Sequence, residues 1–495
     1  MARKSIFYSA ILLTAVNLLL RFAGTSFQVY LSGRIGPAGI GLLQLVLSVG
    51  SMAMVAGMAG IRTATMYLTA EELGKGRPKN VTWVLSGCFL YSILCSGSVA
   101  ALLYCFAPQI AAYWIGDTQT LHALQLTAAF LPCTCLCGVM TGYFTAANRI
   151  GTLAAVEVME QFASMGCTMA LLRFWAGNNA AKACLSVVFG SSMGAVLTLL
   201  CLIVLRFLEK NPENGRIPIA RRLYETAVPL ALADDLRTGI NTVENLMVPK
   251  RLAMNVLVEN PLAAFGVISG MVFPLLMFPA CILFGLAELL IPELARCHAA
   301  GSKGRISYLM HRSLKVAMLY GILFCGLLYL LSDVLCLRLY SNAEAGAFLK
   351  LYSLLTPILY CDAITDAMIK GLGQQKKSVQ YNILTSAMDV ALLYLLLPKF
   401  GMTGYFFSFL ITHLINFGLS LRRLLIITEE HISLRIPLLC ACATIAAVWI
   451  VSHLSAAVLQ LILYPIVLCC LLYLLGIVSR ADLRWLKGLL TNPKI

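Results

Sequence analysis

The sequence is poor in charge. Of its 495 residues only 12% are Asp, Glu, Lys or Arg, against 60% hydrophobic. Ordinary soluble domains carry about 25% charged residues, so this chain cannot cover the surface of a soluble particle. A cytosolic enzyme, a secreted domain and a disordered chain are excluded together. Catalytic signatures are also missing. No G-x-x-x-x-G-K-[ST] phosphate loop occurs, so direct ATP hydrolysis is not expected, and no H-E-x-x-H occurs. The six histidines are scattered without ligand spacing. No basic run alternates with stacking aromatics as a nucleic-acid groove requires. Cysteine is plentiful at 18, but mostly inside apolar runs. Cys133, Cys135 and Cys137 are spaced i, i+2, i+4, which is not C-x-x-C, and they read as small packing residues.

What remains is a chain whose solvent is lipid. One helical crossing takes about 20 apolar residues, which allows about 14 crossings and no sizeable soluble domain. The expected fold is all-α and integral to the membrane, with two pseudo-symmetric six-helix lobes and two C-terminal helices around a central cavity. Spans are expected at 6–31, 37–61, 81–107, 119–145, 150–176 and 182–207, forming an N-terminal lobe over 1–207. A polar linker, 208–222, leads to spans at 223–248, 262–291, 312–335, 345–370, 377–398 and 401–421, a C-terminal lobe over 223–425. Two further spans lie within 426–478. The tail, 479–495, mixes Arg480, Arg484 and Lys487 with Leu483, Trp485 and Leu486, the pattern of a helix lying on a membrane surface. The start, Met1-Ala2-Arg3-Lys4-Ser5 before an apolar run, resembles a signal peptide. It lacks a clean small-x-small cleavage site and is read as an uncleaved first helix.

The charges test this arrangement. The formal net charge is +15. With the N-terminus inside, 25 Lys and Arg fall on inner segments and six on outer ones, namely Arg34, Lys182, Lys250, Arg251, Arg338 and Lys399. The positive-inside rule then places both termini in the cytoplasm. The halves also echo each other. Lys75 and Arg77 in EELGKGRPK map onto Lys303 and Arg305 in CHAAGSKGRIS, a shift of 228, and TAANR (145–149) maps onto GLGQQKK (371–377) at about 226. An even number of spans per half makes these parallel repeats.

Polar residues inside spans cost about 2.5–3.5 kcal/mol each when charged. Asn17, Arg21, Thr25 and Gln28 share one face of the first span. Gln44, Ser48, Ser51 and Arg62 lie on the second, and Glu157, Glu160, Gln161, Ser164 and Thr168 on the fifth. The seventh carries Asp234, Asp235, Arg237, Asn241, Glu244 and Asn245, the tenth Asp362, Asp366 and Lys370, and the eleventh Asn382, Ser386 and Asp389. One reading is mutual neutralisation between packed helices, with Asp234 and Arg237 as an i, i+3 pair and Arg62 snorkelling to the inner surface. The other is a cavity for polar cargo. Arg21 and Arg237 come from equivalent first helices of the halves, and guanidinium groups hold phosphates in fork geometry. The acids suit binding of H⁺ or Na⁺.

Five stretches carry a family resemblance: LLLRFAGTSFQVYLSGRIGPAGIGLLQL (18–45), GMAGIRTATMYLTAEELGKGR (57–77), FGVISGMVFPLLMFPACILFGLAELLIPELA (265–295), IKGLGQQKKS (369–378) and DVALLYLLLPKFGMTGYFFS (389–408). In this order they resemble the polysaccharide-exporter and stage V sporulation protein B-like branch of the multidrug/oligosaccharidyl-lipid/polysaccharide (MOP) exporters, related to the lipid II flippases. The resemblance spans about residues 1–480. It implies a fourteen-helix alternating-access carrier without its own ATPase, not an enzyme, that flips polyprenyl-pyrophosphate-linked glycans for cell-wall, surface-polysaccharide or spore synthesis. Lipid II flippases carry a further arginine and an aspartate where Phe27 and Gln28 stand here, so the broader polysaccharide or sporulation-type group fits better.

Substrate binding is accordingly expected at Arg21, Arg62 and Arg237, with Asn17, Gln28, Asn241, Glu157 and Glu160. Ion coupling is expected at Asp234, Asp235, Glu244, Asn382 and Asp389. No cofactor is expected beyond Na⁺ or H⁺ as coupling ion. The partners are the lipid-linked glycan, membrane lipids and a polysaccharide or cell-wall polymerase, with no nucleic acid and a monomeric carrier. The alternatives are a cation-coupled multidrug antiporter of the same superfamily, with Asp234, Asp235, Glu157 and Glu160 as its sites, and a non-transporting scaffold in a wall-synthesis complex.

Overall fold

A computed structural model describes residues 2–77, 79–177, 179–208, 219–431, 433, 435–454 and 456–478. The tail and most of the linker lie outside the described residues. Among the described residues there is no strand. The helices are α1 (Ala2–Met58), α2 (Ile61–Gly74), α3 (Lys79–Gln109), α4 (Leu121–Ala146), α5 (Ile150–Leu171), α6 (Ala180–Phe207), α7 (Ala220–Leu252) and α8 (Pro261–Val267). They continue as α9 (Phe273–Met277), α10 (Ala280–Ala299), α11 (Lys303–Tyr340), α12 (Ala343–Ser353), α13 (Thr356–Gly371), α14 (Gln375–Thr428), α15 (Arg435–Ser452) and α16 (Ala457–Leu474). Asparagines cap several starts: the side-chain oxygens of Asn179, Asn260 and Asn342 accept from the N–H groups of Lys182, Ala263 and Ala345.

Among the described residues, eight helices are long and apolar enough to cross a membrane, or ten if each of two bent pairs is one crossing. The pairs are Pro261–Met277 with Ala280–Ala299, bent by 61°, and Ala343–Ser353 with Thr356–Gly371, bent by 55°. The expected fourteen are reached only when α1 and α14 each count twice and the acid-bearing α5 and α7 are added. Two breaks make the double count physical. α1 runs for 57 residues, about 85 Å at 1.5 Å per residue, against a hydrocarbon core of about 30 Å. It turns at Gly36 (φ 69°, ψ 176°), and α14 turns at Gly401 (φ 56°, ψ −136°). Both backbones are left-handed, where a Cβ is strained. Pro37 follows Gly36 at the first position of the next helical segment, where its missing N–H costs nothing.

The chain divides into two compact units, Met1–Gly270 with Ser386–Gly404, and Met271–Thr385 with Tyr405–Ile495. The first unit takes in α7 and α8, which the sequence reading assigns to the C-terminal lobe. Close backbone approach explains the attachment. A Cβ on Gly41 would collide with the Leu262 carbonyl, and a Cβ on Gly266 with the Pro37 carbonyl. The two contacts are reciprocal, since 41 to 266 and 37 to 262 are both offsets of 225 residues, nearly the offset of the repeated loops. Further along, Gly60 meets the Ala227 carbonyl. Lipid tails are as apolar as leucine, so helices in a membrane associate through such close packing rather than through hydrophobic drive.

Elsewhere in the first unit, Ile61, Leu68, Val84, Met140, Phe144, Leu202 and Leu223 form one buried cluster. In the second, Phe273, Tyr352, Phe406 and Phe409 interlock, with Phe273 to Tyr352 at 5.6 Å between ring centroids. Many hydroxyls are satisfied within their own helices: Thr127, Thr141, Thr145 and Ser186 each donate to the carbonyl four residues back. Three cysteines serve as packing groups. Cys88 and Cys135 are fully buried, and the Cys137 thiol donates to the Ala195 carbonyl at 3.1 Å.

The terminal hairpin α15–α16 docks on α11 through Tyr464, whose hydroxyl donates to the Ile322 carbonyl at 2.8 Å and whose ring fills the space above Gly326. Gly326→Val is therefore expected to destabilise the protein by about 1–3 kcal/mol through overpacking. Combining it with Tyr464→Ala should return part of that loss. Thermal unfolding of the three variants in detergent checks the coupling: additive losses would mean that the two side chains do not compete for one space.

Candidate functional site

The candidate site lies within the first unit and starts from α1. Gln28 faces inward and donates to the Gly270 carbonyl at 3.2 Å, while Arg21 on the same helix is exposed. The Arg21 carbonyl accepts from Thr25 at 3.0 Å. Asn17 lies on this helix, and its side chain is outside the described residues. On α2 Arg62 is exposed and faces Glu157 of α5 electrostatically, with Glu160 acting on the same carboxyl. Glu160 accepts from Thr198 of α6 at 2.8 Å. The structure thus brings Arg62, Glu157 and Glu160 into one neighbourhood.

α7 carries both exposed and bonded polar residues. Asp234, Arg237 and Asn241, spaced three and four apart, are all exposed. Among the described residues no ion pair joins Asp234 to Arg237, so the neutralising i, i+3 pair is not formed. The next turn holds the helix in place: Thr242 donates to the Ser48 carbonyl at 3.2 Å, and Asn245 to the Ser48 hydroxyl at 2.9 Å. Glu244 of the same helix lies beside Asp389 of α14, which is buried.

Asp235 lines an apolar cleft of about 560 Å³ with Leu232, Leu236, Gly239, Ile240 and Val243 of α7 and Ala387 and Val390 of α14. Its Oδ1 is buried without a hydrogen-bond partner among the described residues. Of the other expected ion-coupling residues, Asp234 faces Asp235. Asn382 belongs to the second unit and donates its amide to the Ser378 carbonyl at 3.0 Å.

One network stands out beyond the expected site. In the second unit the buried Asp362 accepts from Asn416 with both oxygens, at 3.0 Å each, while His413 lies 3.4 Å away and Thr385 bonds Asn416 at 3.4 Å. The tenth-span stripe marked Asp362. Its partners were signalled only by the i, i+3 spacing of His413 and Asn416. Among the described residues no group of three or more His, Cys, Asp or Glu could hold a metal ion.

The MatE family model matches residues 8–174. Stage V sporulation protein B of Bacillus subtilis (strain 168) is 21% identical over 417 residues, covering 82% of this chain and 80% of that protein. Among solved structures, the lipid II flippase MurJ in an inward closed conformation superposes with a TM-score of 0.70 at 13% identity, covering 94% of this chain and 98% of that one. The chain shares the fold of that flippase. An inward-facing multidrug resistance MATE transporter of the MOP superfamily also matches, with a TM-score of 0.67 at 14% identity, covering 85% of this chain and all of its own. With eight to ten helices long and apolar enough to cross among the described residues, the chain is a multi-span membrane protein.

A second charged group lies at the end of α2, past the second expected span. Arg222, in the first turn of α7, pairs with Glu71 at 2.5 Å and with Glu72 at 3.1 Å. Lys75 pairs with Glu71 at 2.5 Å, and Asn80 of α3 donates to Glu72 at 2.8 Å. The Lys75 hydrogen bond, followed by Arg222, holds the Glu71 carboxyl below the usual range against an opposing cost of burial. For Glu72 the Asn80 hydrogen bond does most, again with Arg222 behind it. Both carboxyls are thus lowered on folding, so their stabilisation is complete above the ordinary carboxylate range and is lost as pH falls through the lower folded values. Hydrogen bonds to charged groups contribute about 1.5–3 kcal/mol. Glu72→Gln is expected to cost an amount of that order at pH 7, and the difference from wild type should shrink as pH drops below about 4.5. Denaturation midpoints measured from pH 7 to pH 3 check this. A difference that stays constant over the range would show that Glu72 contributes by packing rather than by charge.

Proposed function

We propose that the chain is an alternating-access flippase for a polyprenyl-pyrophosphate-linked oligosaccharide. The observation that carries this reading is the exposure of Arg21, Arg62 and Arg237 on span helices of one unit. An arginine within a lipid-embedded helix is costly unless it faces water or an anion. Three forked cations suit a diphosphate, which accepts bidentate hydrogen bonds from each. Glu157, Glu160, Asn17, Gln28 and Asn241 would offer acceptors and donors to the sugars. The prenyl tail would stay in lipid. Likeness to the lipid II flippase MurJ supports a lipid-linked substrate.

In this reading both termini are cytoplasmic, as the distribution of Lys and Arg favours, fourteen crossings are made, and the carrier works as a monomer alongside a glycan polymerase. Energy would come from an ion gradient. The Glu244–Asp389 pair is the place for a coupling proton, because an alternative without it leaves two adjacent carboxylates repelling each other in low dielectric. Releasing that proton to one side and taking it up from the other would bias the two states by their differential affinity for it.

A second reading, a multidrug antiporter, is favoured by one observation. Asp235 puts a buried, unpartnered oxygen into an apolar cleft, which suits a lipophilic cation. The solved MATE transporter fits it equally well by fold.

Proteoliposomes loaded with a fluorescent polyprenyl-diphosphate sugar separate the two. Arg21→Ala and Arg237→Ala should each reduce flipping by about tenfold or more, the loss of one or more strong charge-assisted contacts. Arg→Lys should recover only part of it. Transport of an organic cation that is unaffected by the arginine variants and abolished by Asp235→Asn would favour the antiporter. Coupling is read in the same vesicles under imposed H⁺, Na⁺ and potential gradients. Glu244→Gln combined with Asp389→Asn should remove the dependence on the H⁺ gradient while downhill flipping persists, and an intact dependence would exclude the pair.

A further inference from the structure

The ends of α7 and α8 are held to α1 and α2 by different chemistry. At one end the hold is backbone against backbone, through Gly41 and Gly266, and nothing in it can be titrated or competed away. At the other end Gly60 meets the Ala227 carbonyl, and one helical turn before Ala227 the Arg222 guanidinium bridges to Glu71 and Glu72. Arg222 begins α7 directly after the linker that joins the halves. By the distribution of Lys and Arg this is the cytoplasmic end.

The members of the bridge differ in exposure. The Glu72 side chain is 2% exposed, whereas those of Arg222 and Glu71 are 32% and 28% exposed. A soluble anion can therefore reach the arginine from outside while Glu72 stays covered. Each carboxylate keeps another donor when Arg222 leaves, Lys75 for Glu71 and Asn80 for Glu72. Arg222 can be traded to an incoming anion without orphaning its partners, which makes the bridge releasable rather than merely stabilising.

We propose that Arg222 is the latch of a cytoplasmic gate, closed when it bridges Glu71 and Glu72 and opened when a diphosphate takes it from them. The proposal rests on the flippase reading for its ligand class. It adds a positioning residue that receives the anionic headgroup before Arg21, Arg62 and Arg237 do, and it makes the cargo the trigger for opening. An anion that binds the released arginine better than the bridged one shifts the balance towards the open state by that difference. Cargo lacking a diphosphate would leave the latch shut.

Hydrogen–deuterium exchange on the full chain in lipid nanodiscs tests the latch without requiring transport. The segments to follow are 61–74 and 220–232, with 435–474 as an internal reference in the other unit. Glu72→Gln and Arg222→Gln should each raise exchange in both segments by about tenfold, the weight of one hydrogen bond to a charged group, and leave the reference unchanged. Arg222→Lys should lie between them and wild type. Inorganic pyrophosphate should raise exchange in the wild type above a sodium chloride control of equal ionic strength and should do nothing further to Arg222→Gln. Wild-type exchange in both glutamine variants would overturn the latch. A latch that loosens on mutation but ignores pyrophosphate would overturn the anion trigger. If a variant fails to fold, the wild-type pyrophosphate comparison still decides. Since none of these readouts involves flipping, a failure here is distinguishable from a failure of the flippase reading.

Discussion

A polar group placed in hydrocarbon must bring its own partner, and most features of this protein follow from that constraint. Threonine and serine hydroxyls turn back on their own helices. Buried Asp362 takes two bonds from Asn416, and Asp389 meets Glu244. Helices approach through glycine, so that carbonyls can come close without intervening side chains. Arg21, Arg62 and Arg237, on α1, α2 and α7, are exposed instead.

The division is clearest along α7. Residues 234, 237 and 241 are exposed, while residues 242 and 245, on the next turn, are bonded to Ser48. One helix thus carries exposed charge and a bonded seam at once. The cost is a helix too polar to be recognised as a crossing from length and composition, which is why α7 is absent from the eight to ten that pass that test.

This also explains what could be read in advance. The boundary between expected spans 6–31 and 37–61 falls at Gly36, and that between 377–398 and 401–421 falls at Gly401, because glycine and proline act through local backbone geometry. The bends within 261–299 and 343–371 were not foreseen, since their apolar runs are continuous and only Pro274, Pro279 and Pro357 hint at a break. The charged stripes were legible as stripes, because helical period is a property of the chain. Their partners were not. Arg222 is in sequence only one of the 25 inner-segment cations, until Glu71 and Glu72, about 150 positions earlier, are seen beside it. Asp234 and Arg237 look like a pair in sequence, yet both are exposed and unjoined.

The reciprocal contact of Gly41 with Leu262 and of Gly266 with Pro37 has the geometry of a two-fold dimer interface preserved within one polypeptide. In a homodimer, one substitution alters both copies of such a contact at once, and a bulky residue is penalised twice. After fusion the copies are free to diverge, yet each still rests against the other's backbone. A change at one glycine can then be offset only by a change some 225 residues away. The two halves are thus locked to one another's backbone at this crossing point.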